Sequence, residues 1–380
     1  MVAVLQSTRA LLIVLVASIL CTQSFAKPIR AIKRQVVEDE YDFVICGGGT
    51  AGLVLANRLS ESGKFTVLVL EAGPEPTTVA AYETPGGNQF LKGSAIDWAF
   101  TTTPQQGLGG RILQYLRGRA LGGSSATNGL YYARGSASVY DRWAKIGNPG
   151  WGWNDVFPLF VKVCVLSAVI LGSNQLQSTR MNPPIPGPQF EATSSYKTYD
   201  PAVYGNGPLQ LGFQGYVTDS TTGFVRACEA ANIPIVNDLN SGNGVGVKLG
   251  TATLDARLRR SSSYDSFYKE AAGRSNLNVL NQAPVTSINT EAISDTNNST
   301  QAKATGVNFV DQSTSLVHKV NARKEVIISL GAFHSPQLLM LSVSTLPYFA
   351  YIVRETALTS TGHRAGGRVG KVCHRAYINQ

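Results

Sequence analysis

The chain has 380 residues, enough for two domains of ordinary size around a substantial core. Its formal charge of +9 belongs to the two ends: residues 1–34 hold Arg9, Lys27, Arg30, Lys33 and Arg34 with no acid, residues 343–380 hold five basic residues against Glu355, and the body between balances at zero. That distribution leaves no electrostatic footprint for nucleic acid on the body.

Residues 1–26 read as a secretory signal, with Arg9, an apolar core from Leu11 to Leu20 and a small-x-small end at Ser24-Phe25-Ala26. The core is about half of the roughly 20 apolar residues a membrane span needs, so no span is expected. Lys27 to Arg34 ends in the dibasic pair Lys33-Arg34, which predicts a propeptide over 27–34 and a mature start near Gln35. Asn297 and Asn298 open two overlapping glycosylation sequons in a polar loop, as suits a secreted, extracellular glycoprotein. The cysteines show no repeated spacing, so no disulfide framework is legible, and no metal site is expected.

Tyr41 to Gly73 reads as strand, glycine turn, helix, strand and acid. The apolar run Phe43 to Cys46 leads into Gly47-x-Gly49-x-x-Gly52, a helix pattern runs to about Ser60, and a buried strand from Phe65 to Leu70 is closed by Glu71. Gly47 suits a tight turn, Gly49 the close approach of a pyrophosphate, and Gly52 the packing of helix on strand, with the phosphates at the positive end of the helix. Glu71 follows Gly52 by 19 residues, placed to accept hydrogen bonds from a ribose diol. The stretch by itself leaves FAD and NAD both open.

Residues 77–112 read mostly as loop, with an aromatic cluster at Asp97 to Phe100. Gly118 to Gly129, GRALGGSSATNG, offers glycine N–H groups and small hydroxyls ahead of a helix expected from Ser136 to Ala144. A short helix is expected to start at Asn154-Asp155. The nine-residue apolar run Val163 to Leu171 stands oddly between polar loops. Residues 200–250, rich in Gly, Asn and aromatics, suit a substrate domain, with an amphipathic helix around Gly223 to Ala231. A helix from Ser262 to Ala272 precedes short strands at Leu277–Leu280, Ala283–Ile288, Gly306–Phe309 and Leu316–Val320, which suggest an antiparallel meander. Lys324 to Leu330 reads as a separate buried strand, and Pro336 as the first turn of a helix from Gln337 to Leu341.

Three motifs in this order resemble the glucose–methanol–choline (GMC) family of FAD-dependent alcohol oxidoreductases, in its secreted fungal type: the nucleotide fingerprint with Glu71, GRALGGSSATNGLYYARGSASVYDRW at 118–143, and GAFHSPQLLMLS at 331–342. The resemblance covers about 41–160 and 200–342. It implies an α/β fold, α+β overall, with a Rossmann-like FAD-binding domain carrying an antiparallel meander and a discontinuous substrate domain. The FAD-binding domain would comprise 35–145 and 251–342, the partial substrate domain 146–250 with an atypical insert at 163–182, and 343–380 a tail outside the family pattern.

By resemblance, Gly47, Gly49, Thr50, Ala51 and Gly52 hold the pyrophosphate of FAD and Glu71 the adenosine ribose. Gly122, Gly123, Ser124, Asn128 and Gly129 run beside the flavin, and the backbone of Val285 meets the adenine. Thr127 stands where some members carry a histidine that attaches flavin covalently, so FAD is expected to be non-covalent. Family chemistry is hydride transfer from a small-molecule alcohol to flavin N5, with a histidine taking the hydroxyl proton and O₂ or a quinone as final acceptor. That histidine and its partner lie far downstream in the family, and His318, His334, His363 and His374 do not match them, so no catalytic residue is named. The break in pattern after Ser342 and the insert at 163–182 give the expectation of a C-terminally truncated translation. The alternatives are a non-catalytic remnant that at most binds FAD, and an NAD-dependent dehydrogenase, which would leave 118–143 unexplained.

Overall fold

A strand whose residues are all apolar, with no alternation, has to be covered on both faces. In the computed structural model, which describes residues 37–161, 179–184, 196–294 and 300–342, the apolar run Phe43 to Cys46 that ends β1 (Glu40–Cys46) meets that requirement. Phe43 and Ile45 face one apolar cluster, with Leu53, Val67, Val69, Tyr82, Leu121 and Tyr264. Val44 and Cys46 face the other, with Leu68, Leu70, Val307, Phe309, Val320 and Leu338. The predicted signal and propeptide, Asn297 and Asn298, the tail 343–380 and all but the end of the 163–182 insert lie outside the described residues.

The chain runs from β1 through α1 (Thr50–Ser60) to β2 (Val67–Leu70), the predicted βαβ unit. Two short pairs follow, β3 (Phe100–Thr101) with β4 (Gln114–Tyr115), and β5 (Tyr131–Tyr132) with a later strand. Helices α2 (Ala137–Lys145) and α3 (Trp153–Val161) match the expected positions. Next come β6 (Thr179–Met181), β7 (Leu209–Leu211) and α4 (Asp219–Ala230), whose start is capped by the Thr218 hydroxyl accepting from Thr221 N. Strand β8 (Thr251–Ala252) pairs with β5. A π-helical turn, Tyr264–Tyr268, then leads into the short helix α5 (Lys269–Ala271).

The main sheet is completed by β9 (Leu277–Leu280), β10 (Val285–Ser294), β11 (Thr300–Asp311) and β12 (Leu316–Ile328), in the order β10-β11-β12-β1-β2-β9. The antiparallel meander is present, but it consists of β10, β11 and the first half of β12. Leu277–Leu280, expected in the meander, instead pairs parallel with β2. A four-residue strand carries no local mark of its partner's direction, and the open edge of β2 takes it. The two strands expected at Leu316–Val320 and Lys324–Leu330 are one continuous strand. Asn321 is its exchange point: it pairs with Gly306 of β11 and with Glu40 of β1, so the strand leaves the meander and enters the parallel sheet. Arg323 pins this junction, donating to Glu40, Asp42 and Thr66.

The last helix, α6 (Gly331–Ser342), starts earlier than the proline predicts, with Pro336 inside it. β12 ends with Ser329 N donating to Cys46 O, and Gly331 at φ +80° turns the chain straight into the helix. Pro336 therefore forgoes only the bond to the Ala332 carbonyl near the helix start.

Candidate functional site

Three stretches distant in sequence meet at the carboxyl ends of β1 and β2. The first is the turn from β1 into α1. Gly47 adopts φ +96° and its N–H donates to Leu70 O at 2.8 Å. A Cβ on Gly52 would stand 2.0 Å from the Gly47 carbonyl oxygen, so α1 can begin this close to the strand only with a hydrogen at that position. Gly49 at the N-cap supplies no side-chain cap, and the first turn of α1 carries no acid. Its positive end is thus left for an anion. Thr50 and Ala51 open that turn, both exposed.

The second stretch is Gly118 to Gly129. Gly122 and Gly123 both take positive φ and lead into a 3₁₀ turn, Gly123–Ala126. Gly122 N donates to Gly48 O at 2.8 Å. A Cβ on Gly123 would lie 2.7 Å from Gly49 Cα, so the two glycine loops touch backbone to backbone. The Thr50 hydroxyl bridges them, donating to Gly122 O at 3.4 Å and accepting from Ser125 N at 3.2 Å. The Ser124 carbonyl accepts from Asn128 N at 2.9 Å, and Asn128 and Gly129 lie exposed at the end of the turn.

The third stretch, Arg260 to Asp265, was not anticipated. Ser263 Oγ lies within 3.5 Å of both Gly49 O and Gly122 O. Ser262 and Asp265 hold the hydroxyl of the buried Tyr82. Arg259-Arg260-Ser261-Ser262-Ser263 reads in the sequence only as the approach to a helix. The structure separates the two arginines: Arg259 pairs at the surface with Asp255 and Glu83, whereas Arg260 is 2% exposed. Two adjacent identical charges carry no mark of which is buried; the basic pair leading into serines was the available signal.

Glu71 ends β2, 6% exposed. Its Oε2 accepts from Gly48 N at 2.8 Å and its Oε1 from Gly73 N at 2.9 Å. Burial raises its carboxyl to about 7, against the opposing pull of those two N–H groups and of Arg119. The Glu71 carbonyl accepts from Ala283 N at 2.7 Å, which brings the start of β10 and Val285, paired with Phe309, to this end of the sheet. Of the two described histidines, His318 stacks on Phe309. His334 sits in an aromatic group, its ring 4.3 Å from that of Trp98 and 5.5 Å from that of Phe100. Burial lowers its pKa.

An uncapped helix start, two glycine loops in backbone contact and a buried carboxylate at a strand end form the set of donors and acceptors that suits a nucleotide's pyrophosphate and ribose. Cys46 and Cys228 are free and buried. No described helix is long and apolar enough to cross a membrane.

Residues 41–345 match the GMC oxidoreductase family. Among curated relatives, a pyranose dehydrogenase of Agaricus campestris is 38% identical over 312 residues, covering 80% of this chain and 47% of that protein. Patulin synthase of Aspergillus clavatus is 34% identical over 315 residues, covering 80% and 46%. Among solved structures, an FAD-dependent oxidoreductase from Chaetomium thermophilum superposes with a TM-score of 0.67 at 30% identity, over 80% of this chain and 47% of that one. A fungal aryl-alcohol oxidase superposes with a TM-score of 0.64 at 26% identity, over 80% and 48%. The chain thus spans about half the length of the curated relatives it matches.

Proposed function

The chain belongs to the GMC oxidoreductase family, and we propose that it works as an FAD-dependent oxidoreductase on the CH–OH group of a small sugar or alcohol. FAD is the cofactor of this fold. The observation that carries the reading is the backbone-to-backbone meeting of the Gly49 and Gly123 loops over the uncapped start of α1. Gly47, Gly49, Thr50, Ala51 and Gly52 hold the pyrophosphate, and Glu71 holds the adenosine ribose. Gly122, Gly123, Ser124, Asn128 and Gly129 line the flavin, and the Val285 backbone faces the adenine. Residues 35–145 and 251–342 make up the cofactor part, and 146–250 the substrate side.

Bound FAD supplies the acceptor for the hydride that leaves the alcohol carbon as the hydroxyl proton departs and a carbonyl product forms. The described residues bind and orient that group; none of them is assigned the role of taking the proton. O₂ or a quinone removes the electrons. Thr127, in place of a histidine, leaves the cofactor dissociable. The segment 1–26 directs secretion and Lys33-Arg34 is cut, so N-terminal sequencing of secreted material should begin at Gln35.

A second reading, FAD binding without turnover, is favoured by the exposure of Met340 and Leu341 near the end of α6, an apolar surface with no cover among the described residues. Purification of the full chain decides between them. Absorbance near 450 nm, roughly that of oxidised flavin, which bleaches anaerobically with an aldopyranose or an aryl alcohol, supports the oxidoreductase. A yellow protein that bleaches with neither supports the second reading. Colourless, folded protein that takes up no added FAD overturns both, and tight binding of NADH in its place would support the dehydrogenase.

A further inference from the structure

Arg260 lies outside the three motifs singled out in the sequence, at 41–73, 118–143 and 331–342, yet it supports the loop that ends in Asn128 and Gly129. Its Nε donates to Tyr82 O at 2.9 Å. Its Nη1 lies 3.1 Å from Ser125 O, 3.0 Å from Asn128 O and 2.9 Å from Asn128 Oδ1. The side chain is almost fully buried and makes no ion pair among the described residues, and its Nη2 is buried without a hydrogen-bond partner. A guanidinium stays protonated in proteins, so a whole positive charge is held under the loop and is met mainly by carbonyl oxygens. Such a charge is costly to bury, and burial pulls its pKa down accordingly.

The contacts settle the orientation of Asn128. Its Oδ1 receives Arg260 Nη1 on one side and Leu130 N at 3.1 Å on the other. Both neighbours are donors, so the amide oxygen must face them and Nδ2 must point away. The Asn128 side chain is otherwise exposed, which leaves Nδ2 as an outward donor. The Ser125 and Asn128 carbonyls, which would otherwise offer acceptors to a ligand, are drawn inward.

We propose that Arg260 is a positioning residue for the flavin-side loop: it pins the Ser125 and Asn128 carbonyls and fixes the Asn128 amide with Nδ2 outward, so that the loop presents donors to a bound ring rich in hydrogen-bond acceptors. The identity of that ring rests on the FAD reading above; the ordering of the loop does not. The isoalloxazine system carries acceptor atoms along its pyrimidine side and gains negative charge on reduction, so outward donors above a buried cation favour both its binding and its reduced state.

The test uses the full chain with Arg260→Lys, Asn128→Ala, Asn128→Asp and the double variant Arg260→Lys/Asn128→Ala. Amide hydrogen exchange over 120–131 is read without cofactor, and the FAD dissociation constant and flavin absorbance maximum are read with it. Lysine cannot reproduce the fork, so Arg260→Lys should speed exchange in the loop and weaken FAD by about tenfold each, the scale of one lost charged hydrogen bond. Exchange in α4 should stay unchanged. The double variant should weaken FAD by less than the product of the two single losses, since the two changes share the Arg260–Asn128 link. Asn128→Asp separates positioning from mere structure: its carboxylate still accepts from Arg260, so the loop stays protected, but the outward donor is gone, so FAD weakens and its absorbance maximum shifts. Exposed Asn128 keeps the question open to test if Arg260→Lys fails to fold. Loop exchange and FAD affinity within about twofold of wild type in Arg260→Lys, fully additive losses in the double variant, or unchanged affinity and spectrum in Asn128→Asp would each overturn the proposal. If the wild-type chain takes up no FAD, the functional reading fails and the exchange comparison alone decides the role of Arg260.

Discussion

Replacing Glu71 with glutamine should flatten a pH dependence that this one carboxyl builds into the cofactor-free fold. In the folded chain it titrates near 7, while its ordinary value is 4.5. Between those limits the native state keeps a proton that the unfolded chain has released. Stability therefore falls as pH rises, by about 1.4 kcal/mol per pH unit over about 2.5 units, or about 3 kcal/mol in all. The sign follows from the raised value: the contribution is complete below about 4.5 and is lost as pH passes through about 7. At 6% exposure the group is shielded from bulk water, so no large discount for screening applies. Glutamine carries no titrating proton, and its amide nitrogen would face the N–H of Gly48 or Gly73, which adds a roughly constant cost of about 1–3 kcal/mol. Urea unfolding of both cofactor-free chains at half-unit steps from about pH 4.5 to 8 should show the wild-type advantage shrinking by about 3 kcal/mol. Parallel profiles, or an advantage that grows with pH, would refute the assignment of burial as the dominant influence on this carboxylate.

Gly52→Ala places a Cβ 2.0 Å from the Gly47 carbonyl oxygen and 3.1 Å from its carbon. The helix start must withdraw, so a loss of at least about 2 kcal/mol in thermal or urea unfolding is expected, together with loss of bound flavin. Wild-type stability and flavin content would show that the turn can relax in place. Asn57→Ala removes the donor that holds the buried Phe267 carbonyl at 2.7 Å and reaches Glu270 at 3.2 Å. The cost should be about 1–3 kcal/mol, read as a lower urea midpoint with unchanged slope; an unchanged midpoint would remove this side chain as the link between α1 and the π-helical turn.

Local pattern was enough to define the βαβ unit, because its signals are short-range: an apolar run, glycines at the positions where a Cβ cannot fit, a helical repeat and an acid at the strand end. The same holds for α2, α3 and α4, each marked by its own periodicity or start. Pairing direction was not legible. Leu277–Leu280 looks like any other short strand, and only the open edge of β2 makes it parallel. Nor does the chain announce that Leu316–Ile328 pairs first antiparallel with β11 and then parallel with β1 in one sheet, since the exchange at Asn321 depends on where β11 and β1 end.

At the site, the sequence by itself determined which residues could approach a phosphate, because a missing Cβ and a helix start are properties of the residues themselves. It also named Glu71 by its distance along the chain. Only the tertiary structure decided that the Gly49 and Gly123 backbones touch, that Ser263 joins them, and that Arg260 rather than Arg259 is buried. Those facts depend on contacts between segments far apart along the chain, 75 residues for Thr50 and Ser125 and 214 for Gly49 and Ser263, where burial, not local propensity, selects the partner.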